Sequence, residues 1–271
     1  MQISYLLVGL AFLLAGCKDD NGVQVQSFDA PVQSLADLPT DYQPILQGSS
    51  VAGRLKSETY AGQLTSEWRY NQQGKIVEWR NYKAGQVTTA DQYRYDATGR
   101  LRYVQHFDNE CGYSSLSSCS GPVKWTSYNE FNTDDAGRIQ ESRTFLKQSE
   151  QWELRSVATY EYNSQQLPVK VLMYDSTRKL GKTQEFTYDG IGNIISLREI
   201  STNTTPEYAD RTFRYEYDQG LNPYAGTVHY ISAFFSSRHV QLTPGTNYEY
   251  AANGYPLRIH QNNLVSELAY Y

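Results

Sequence analysis

Tyr93-Arg94-Tyr95-Asp96-Ala97-Thr98-Gly99-Arg100-Leu101 is the stretch whose reading decides the fold. Tyr93 and Tyr95 are two apart, so in a strand their rings share one face. Asp96 then opens a turn, because its carboxylate accepts bonds from backbone amides further along. Gly99 suits a left-handed position, where a Cβ is costly. Alternation resumes at Leu101-Arg102-Tyr103. The stretch therefore predicts a β-hairpin closed by a type I turn with a glycine bulge.

Other segments carry the same pattern. Trp68-Arg69-Tyr70-Asn71-Gln72-Gln73-Gly74-Lys75-Ile76 is one, and Phe131-Asn132-Thr133-Asp134-Asp135-Ala136-Gly137-Arg138-Ile139 another. Phe186-Thr187-Tyr188-Asp189-Gly190-Ile191-Gly192-Asn193-Ile194 and Tyr248-Glu249-Tyr250-Ala251-Ala252-Asn253-Gly254 follow. Tyr160-Glu161-Tyr162-Asn163 lacks the glycine, and Tyr215-Glu216-Tyr217-Asp218 has Gly220 one place early. Gly53-Arg54-Leu55 is a half-copy that opens the series. A second turn type lies between copies, at Tyr60-Ala61-Gly62 and Tyr82-Lys83-Ala84-Gly85. Helical periodicity is absent. The expected fold is all-β: a long antiparallel meander of hairpins forming a single twisted, curved open sheet, held by cross-strand aromatic pairs.

Tyr95-Asp96-Ala97-Thr98-Gly99-Arg100-Leu101 resembles the Tyr-Asp-x-x-Gly-Arg-Leu unit of YD repeats, known from Rhs and teneurin proteins. The resemblance runs over roughly residues 53–260. In long family members such hairpins spiral into a hollow shell around a cargo domain. The copies here are too few to close a shell. The resemblance is to short YD-repeat lipoproteins of Bacteroidetes type, and it implies a fold and a location rather than an activity.

Location is also written at the start of the chain. The apolar run from Ser4 to Gly16 is too short to span a bilayer, which needs roughly 20 residues, and it ends in small residues, as a signal peptide does. Leu14-Ala15-Gly16-Cys17 resembles a bacterial lipobox. The resemblance implies a signal peptide over 1–16 and lipidation of Cys17. Lys18-Asp19-Asp20 resembles the surface-export signal of Bacteroidetes lipoproteins, so the expected location is the outer membrane with cell-surface display; the alternative is a periplasm-facing lipoprotein. Residues 17–50 are polar, with Pro31, Pro39 and Pro44, and are expected to form a flexible tether; residues 51–271 form the β domain. In an oxidising compartment Cys111 and Cys119 are expected to form a disulfide across a short loop.

Net charge is −5, which argues against nucleic acid, whose binding rests on neutralised phosphates. No G-x-S-x-G elbow, H-E-x-x-H motif, P-loop or dinucleotide fingerprint occurs. His106, His229, His239 and His260 have no metal-ligand spacing, and the aspartates of the Tyr-Asp pairs are explained by turn chemistry. No enzyme, metal or cofactor is expected. The chain holds 24 tyrosines, so its contacts rest on amphipathic rings. The expected function is a non-enzymatic binding lipoprotein that contacts a glycan, peptide or envelope protein; the alternatives are a structural or assembly component of an envelope complex and a glycan-processing enzyme. The candidate ligand-binding aromatics are Trp68, Tyr93, Phe186 and Tyr248 in one row and Tyr70, Tyr95, Tyr188 and Tyr250 in a parallel one; the competing reading is that the rows pack on each other. Residues 221–245 break the pattern and read as a cap over one end of the sheet or as a binding loop.

Overall fold

The computed structural model describes residues 31–46, 48–109, 121–202, 209–225, 236–262 and 264–271. Its strands are β1 (Leu55–Tyr60), β2 (Gln63–Tyr70), β3 (Ile76–Lys83), β4 (Gln86–Tyr95), β5 (Leu101–Asp108) and β6 (Lys124–Thr133). They continue as β7 (Ile139–Gln148), β8 (Gln151–Tyr162), β9 (Pro168–Asp175), β10 (Leu180–Tyr188), β11 (Ile194–Ser201) and β12 (Asp210–Arg214). The last are β13 (Tyr217–Leu221), β14 (His239–Gln241), β15 (Thr246–Tyr250), β16 (Pro256–Gln261) and β17 (Leu264–Tyr270). One open antiparallel sheet of 15 strands runs from β12 down to β1 and then through β17, β16 and β15. β13 and β14 form a separate two-stranded ribbon.

Two turn chemistries alternate along the sheet. At one end Asp96 Oδ1 accepts the amides of Thr98 (2.9 Å) and Arg100 (3.0 Å), and Gly99 takes φ +76°. Asn71, Asp134, Asn163 and Asp189 make the same pair of bonds at the same sheet end. At the other end the β1–β2 and β3–β4 turns have two residues, both at positive φ, Ala61-Gly62 (48° and 75°) and Ala84-Gly85 (49° and 76°), while the β9–β10 turn there is again built on an aspartate, Asp175. The two-residue geometry matches the twist of paired strands.

The order is not a plain meander. β17 pairs with β1, with Leu268 opposite Glu58, so first and last strands meet inside the sheet. The chain must therefore pass from edge β12 to edge β15, and residues 215–245 make that passage. Within it Tyr224 is buried against the sheet, its ring 6.0 Å from that of Trp68 and its hydroxyl 3.1 Å from Glu58 Oε2. The expected cap over one end of the sheet rested on other side chains of residues 221–245. Ile231, Phe234 and Phe235, the side chains singled out for it, lie outside the described residues.

Asp218 departs from the expected turn. It sits within β13, which pairs with β14. Residues 31–50 also correct the expected tether, because they lie across the sheet with Val32, Leu38 and Ile45 buried. The signal peptide, Cys17 and Lys18-Asp19-Asp20 lie outside the described residues. The expected Cys111–Cys119 disulfide is corrected as well: no disulfide is found among the described residues, and both cysteines lie outside them.

Candidate functional site

The aromatic rows are mostly packed. Trp68, Tyr70, Tyr93 and Phe186 are buried, and Tyr95, Tyr188 and Tyr248 are half-buried. Tyr250 alone of the eight is exposed. The rows are also broken into separate clusters. Trp68, Tyr70 and Tyr93 share a core with Leu55, Ile76, Val104 and Phe131, while Phe186 packs with Val171, Ile194 and Leu197. Tyr248 and Tyr250 stack on each other, ring centroids 6.0 Å apart.

The second row has a repeated task. The hydroxyl of Tyr95 donates to the carbonyl of Ile76 at 2.7 Å. Tyr162 does the same to Ile139 (2.7 Å), Tyr188 to Pro168 (2.6 Å), Tyr217 to Ile194 (2.6 Å) and Tyr270 to Pro256 (2.6 Å). Each acceptor is the first residue of a strand. Burial raises the pKa of these hydroxyls, to about 12 for Tyr162 and Tyr217.

The opposite face of β3–β5 carries a buried polar strip that pattern reading missed. Glu78 is fully buried and accepts from Arg80 Nε (2.6 Å), Gln92 Nε2 (2.9 Å) and the amide of Ile45 (3.1 Å). Gln92 also donates to the carbonyl of Gln43 (2.8 Å), Gln105 to that of Pro39 (2.9 Å), and Arg80 to that of Ile45. These bonds hold the backbone of residues 39–45 and satisfy the side chains, as burial requires. Burial pushes the Glu78 carboxyl up against the opposing pull of Arg80, and it draws Arg94 down to about 10.

Where the ribbon meets the sheet there is an open groove of about 480 Å³. Its walls include Asp189, Asn193, Tyr215, Glu216, Asp218 and His239, with Ile191, Ile195 and Leu242 exposed along it. The turn carboxylates are already engaged. Asp189 holds the amides of Ile191 (3.0 Å) and Asn193 (2.8 Å) and Asn193 Nδ2 (2.8 Å). Burial raises its pKa and these bonds outweigh that, so it stays below the usual carboxylate range. Asp218 accepts from the Gly220 amide (2.8 Å) and from the Tyr250 hydroxyl. Among the described histidines, His106 pairs with Asp91 (2.6 Å), His239 contacts Asn193 (3.2 Å) and His260 pairs with Glu249 (2.7 Å). No group of three or more His, Cys, Asp or Glu side chains among the described residues is placed to hold a metal ion. The groove is thus open, with short polar and apolar walls, and its turn carboxylates are held by hydrogen bonds within the chain.

No protein-family model and no curated protein matches the chain. Solved structures are similar to it. A porin-like protein from Bacteroides vulgatus is 14% identical and aligns over 80% of this chain and 99% of its own, with a TM-score of 0.43. A porin-like protein from Bacteroides uniformis is 8% identical over 75% of this chain and 89% of its own, at a TM-score of 0.42. The TcdB2–TccC3 structure is 13% identical over 72% of this chain and 12% of its own, at 0.22. The expected YD-repeat identity is corrected here. No family model, of YD repeats or any other, matches the chain, and what stands of the expectation is the large open antiparallel sheet without the repeat-family identity.

Proposed function

We propose that this protein is a lipid-anchored, non-catalytic structural component of a bacterial envelope assembly. The observation that carries the reading is the fate of the rings. Trp68, Tyr93 and Phe186 lie in the core, and Tyr250 alone of the eight rings is exposed, so the rows offer no extended platform on which a glycan chain would stack. What remains exposed is charged, with cross-strand pairs such as Arg198–Asp210 (2.6 Å) and Arg258–Glu267 (3.3 Å). Charges of that kind suit the polar rim of a protein contact, where they steer a partner and fix its register.

The anchor is read from Leu14-Ala15-Gly16-Cys17, and Lys18-Asp19-Asp20 supports the outer surface as the address. Lipid chains on Cys17 would hold the domain durably, since each buried methylene contributes about 0.8 kcal/mol. Cys17→Ser is expected to move the protein from the membrane fraction to the soluble one. Native electrophoresis of gently solubilised envelopes is expected to show the protein in a band heavier than two copies. A lone chain in that experiment, together with quenching of tryptophan fluorescence by members of a glycan panel, would replace this reading with a binding one.

A further inference from the structure

We propose that β12 pairs with β12 of a second copy of this chain, antiparallel, about a two-fold axis through Thr212. β12 is an edge of the large sheet and bonds only to β11. All of its residues, Asp210–Arg214, are exposed. An exposed edge presents unpaired backbone groups that template another strand. The other edge, β15, is flanked by the ribbon, through Tyr248 Oη to the carbonyl of Gln241 (3.3 Å) and Tyr250 to Asp218.

The sequence of the edge selects the partner. Asp210-Arg211-Thr212-Phe213-Arg214 is complementary to its own reverse. Laid antiparallel on a second copy, Asp210 faces the other Arg214, Arg211 faces the other Phe213, and Thr212 faces itself. Residues directly opposite in an antiparallel pair share a face, so these side chains meet. Both Asp210–Arg214 pairs are of opposite charge. The Arg211 guanidinium already lies 5.3 Å from the Phe213 ring centre within one chain, and the dimer would give each ring a second cation. Asp210 is held by Arg198 at 2.6 Å, which fixes its carboxylate while leaving acceptor capacity.

Two competing registers are penalised, and the remaining slip, Phe213 on Phe213, moves Thr212 off the axis and is told apart by the Thr212→Cys crosslink. A parallel in-register pair would set arginine on arginine at Arg211 and again at Arg214. A two-residue slip that brings Arg211 opposite Arg211 repeats the clash. A two-fold contact of this kind also closes, because it consumes the same edge in both copies and leaves nothing to propagate. The inference does not depend on the assembly reading, which a monomeric result would leave standing.

The test uses the purified full chain carrying Cys17→Ser, Cys111→Ser and Cys119→Ser, which has no native thiol. Thr212→Cys in that background is expected to give a disulfide-linked dimer on mild oxidation, because the two positions face each other across the axis. Asp210→Cys and Arg214→Cys are each expected to link poorly alone and to link with each other when mixed. Sedimentation of the wild-type chain is expected to show a concentration-dependent dimer. Arg214→Glu, which sets two carboxylates opposite, is expected to raise its dissociation constant about tenfold. Circular dichroism checks that Arg214→Glu folds, and the Thr212→Cys crosslink decides alone if it does not. A monomer at every concentration, a dimer indifferent to Arg214→Glu, or Asp210→Cys linking as well as Thr212→Cys would each overturn the proposal.

Discussion

The hydroxyl of Tyr95 donates to the carbonyl of Ile76 at 2.7 Å, which ties the last residue of β4 to the first residue of β3. The bond explains why the second ring of each hairpin is so often tyrosine. Strand-opening carbonyls at this sheet end need a donor that the ladder does not supply, and a hydroxyl on a half-buried ring reaches them.

Tyr95→Phe should therefore cost about 1 kcal/mol, the price of an unsatisfied carbonyl. Tyr70 is the control. Its buried hydroxyl has no hydrogen-bond partner among the described residues, so Tyr70→Phe should leave stability within about 0.5 kcal/mol of wild type. Urea midpoints measured side by side would check this, and equal losses would remove the assigned role of the hydroxyl.

Gly99 lies at φ +76°, and an added Cβ would sit 2.7 Å from Lys75 Nζ. Lys75 donates to the Gly99 carbonyl, so the crowding falls on an existing contact. Gly99→Val is expected to destabilise by about 2 kcal/mol. The reverse applies in the turn after β8, where Gln166 holds φ +63°. Gln166→Gly should relieve that conformation and stabilise by about 0.5 kcal/mol. Thermal melts of the two variants should move in opposite directions.

Alkaline pH should unfold the protein cooperatively. Burial lifts Tyr162 and Tyr217 to about 12 in the folded chain, against about 10 when unfolded. A raised tyrosine pKa means that the fold favours the protonated form. Its contribution is fully present below pH 10, falls through the window from about 10 to about 12, and is gone above it. Tyrosinate absorbance and circular dichroism followed together should change in one transition. Tyrosines ionising well before the secondary structure is lost would contradict the assigned burial.

Glu78→Ala should be the most damaging change in the polar strip. It takes from the buried Arg80 guanidinium the nearer of its two carboxylates, leaving Glu67 at 3.7 Å, and releases the Ile45 amide, for a loss of about 3 kcal/mol. Glu78→Gln keeps the shape and part of the bonding and should cost less. Proteolysis within residues 39–46 should accelerate in Glu78→Ala before the rest of the domain opens. A segment cut equally fast in both proteins would show that the strip does not hold it.

Much of the sheet was legible because its signals are local. An Asp or Asn followed by a left-handed glycine marks Asn71, Asp96, Asp134 and Asp189 within a few residues each. Asp175 makes the same turn and was missed, since Arg178 takes φ +66° in the glycine's place. Residues 31–50 looked like a tether because the sheet grips their backbone, and a gripped backbone leaves little trace in composition. Alternation told which rings share a face but not that Tyr224 would cover them. The β1–β17 pairing joins segments at opposite ends of the chain, and no short window of sequence carries it.

That pairing orders the birth of the molecule. Arg69 Nη1 reaches the Tyr271 hydroxyl at 2.8 Å across 202 positions of chain. Strands β2 to β12 each pair with the strand next to them in sequence, contacts of short range that close readily. β1 takes one neighbour, β2, from its own hairpin, and the other, β17, from far along the chain. Until that distant strand docks, the domain carries an open seam in what will become the interior of its sheet, and the entropy of closing so long a loop makes it the costliest join to form.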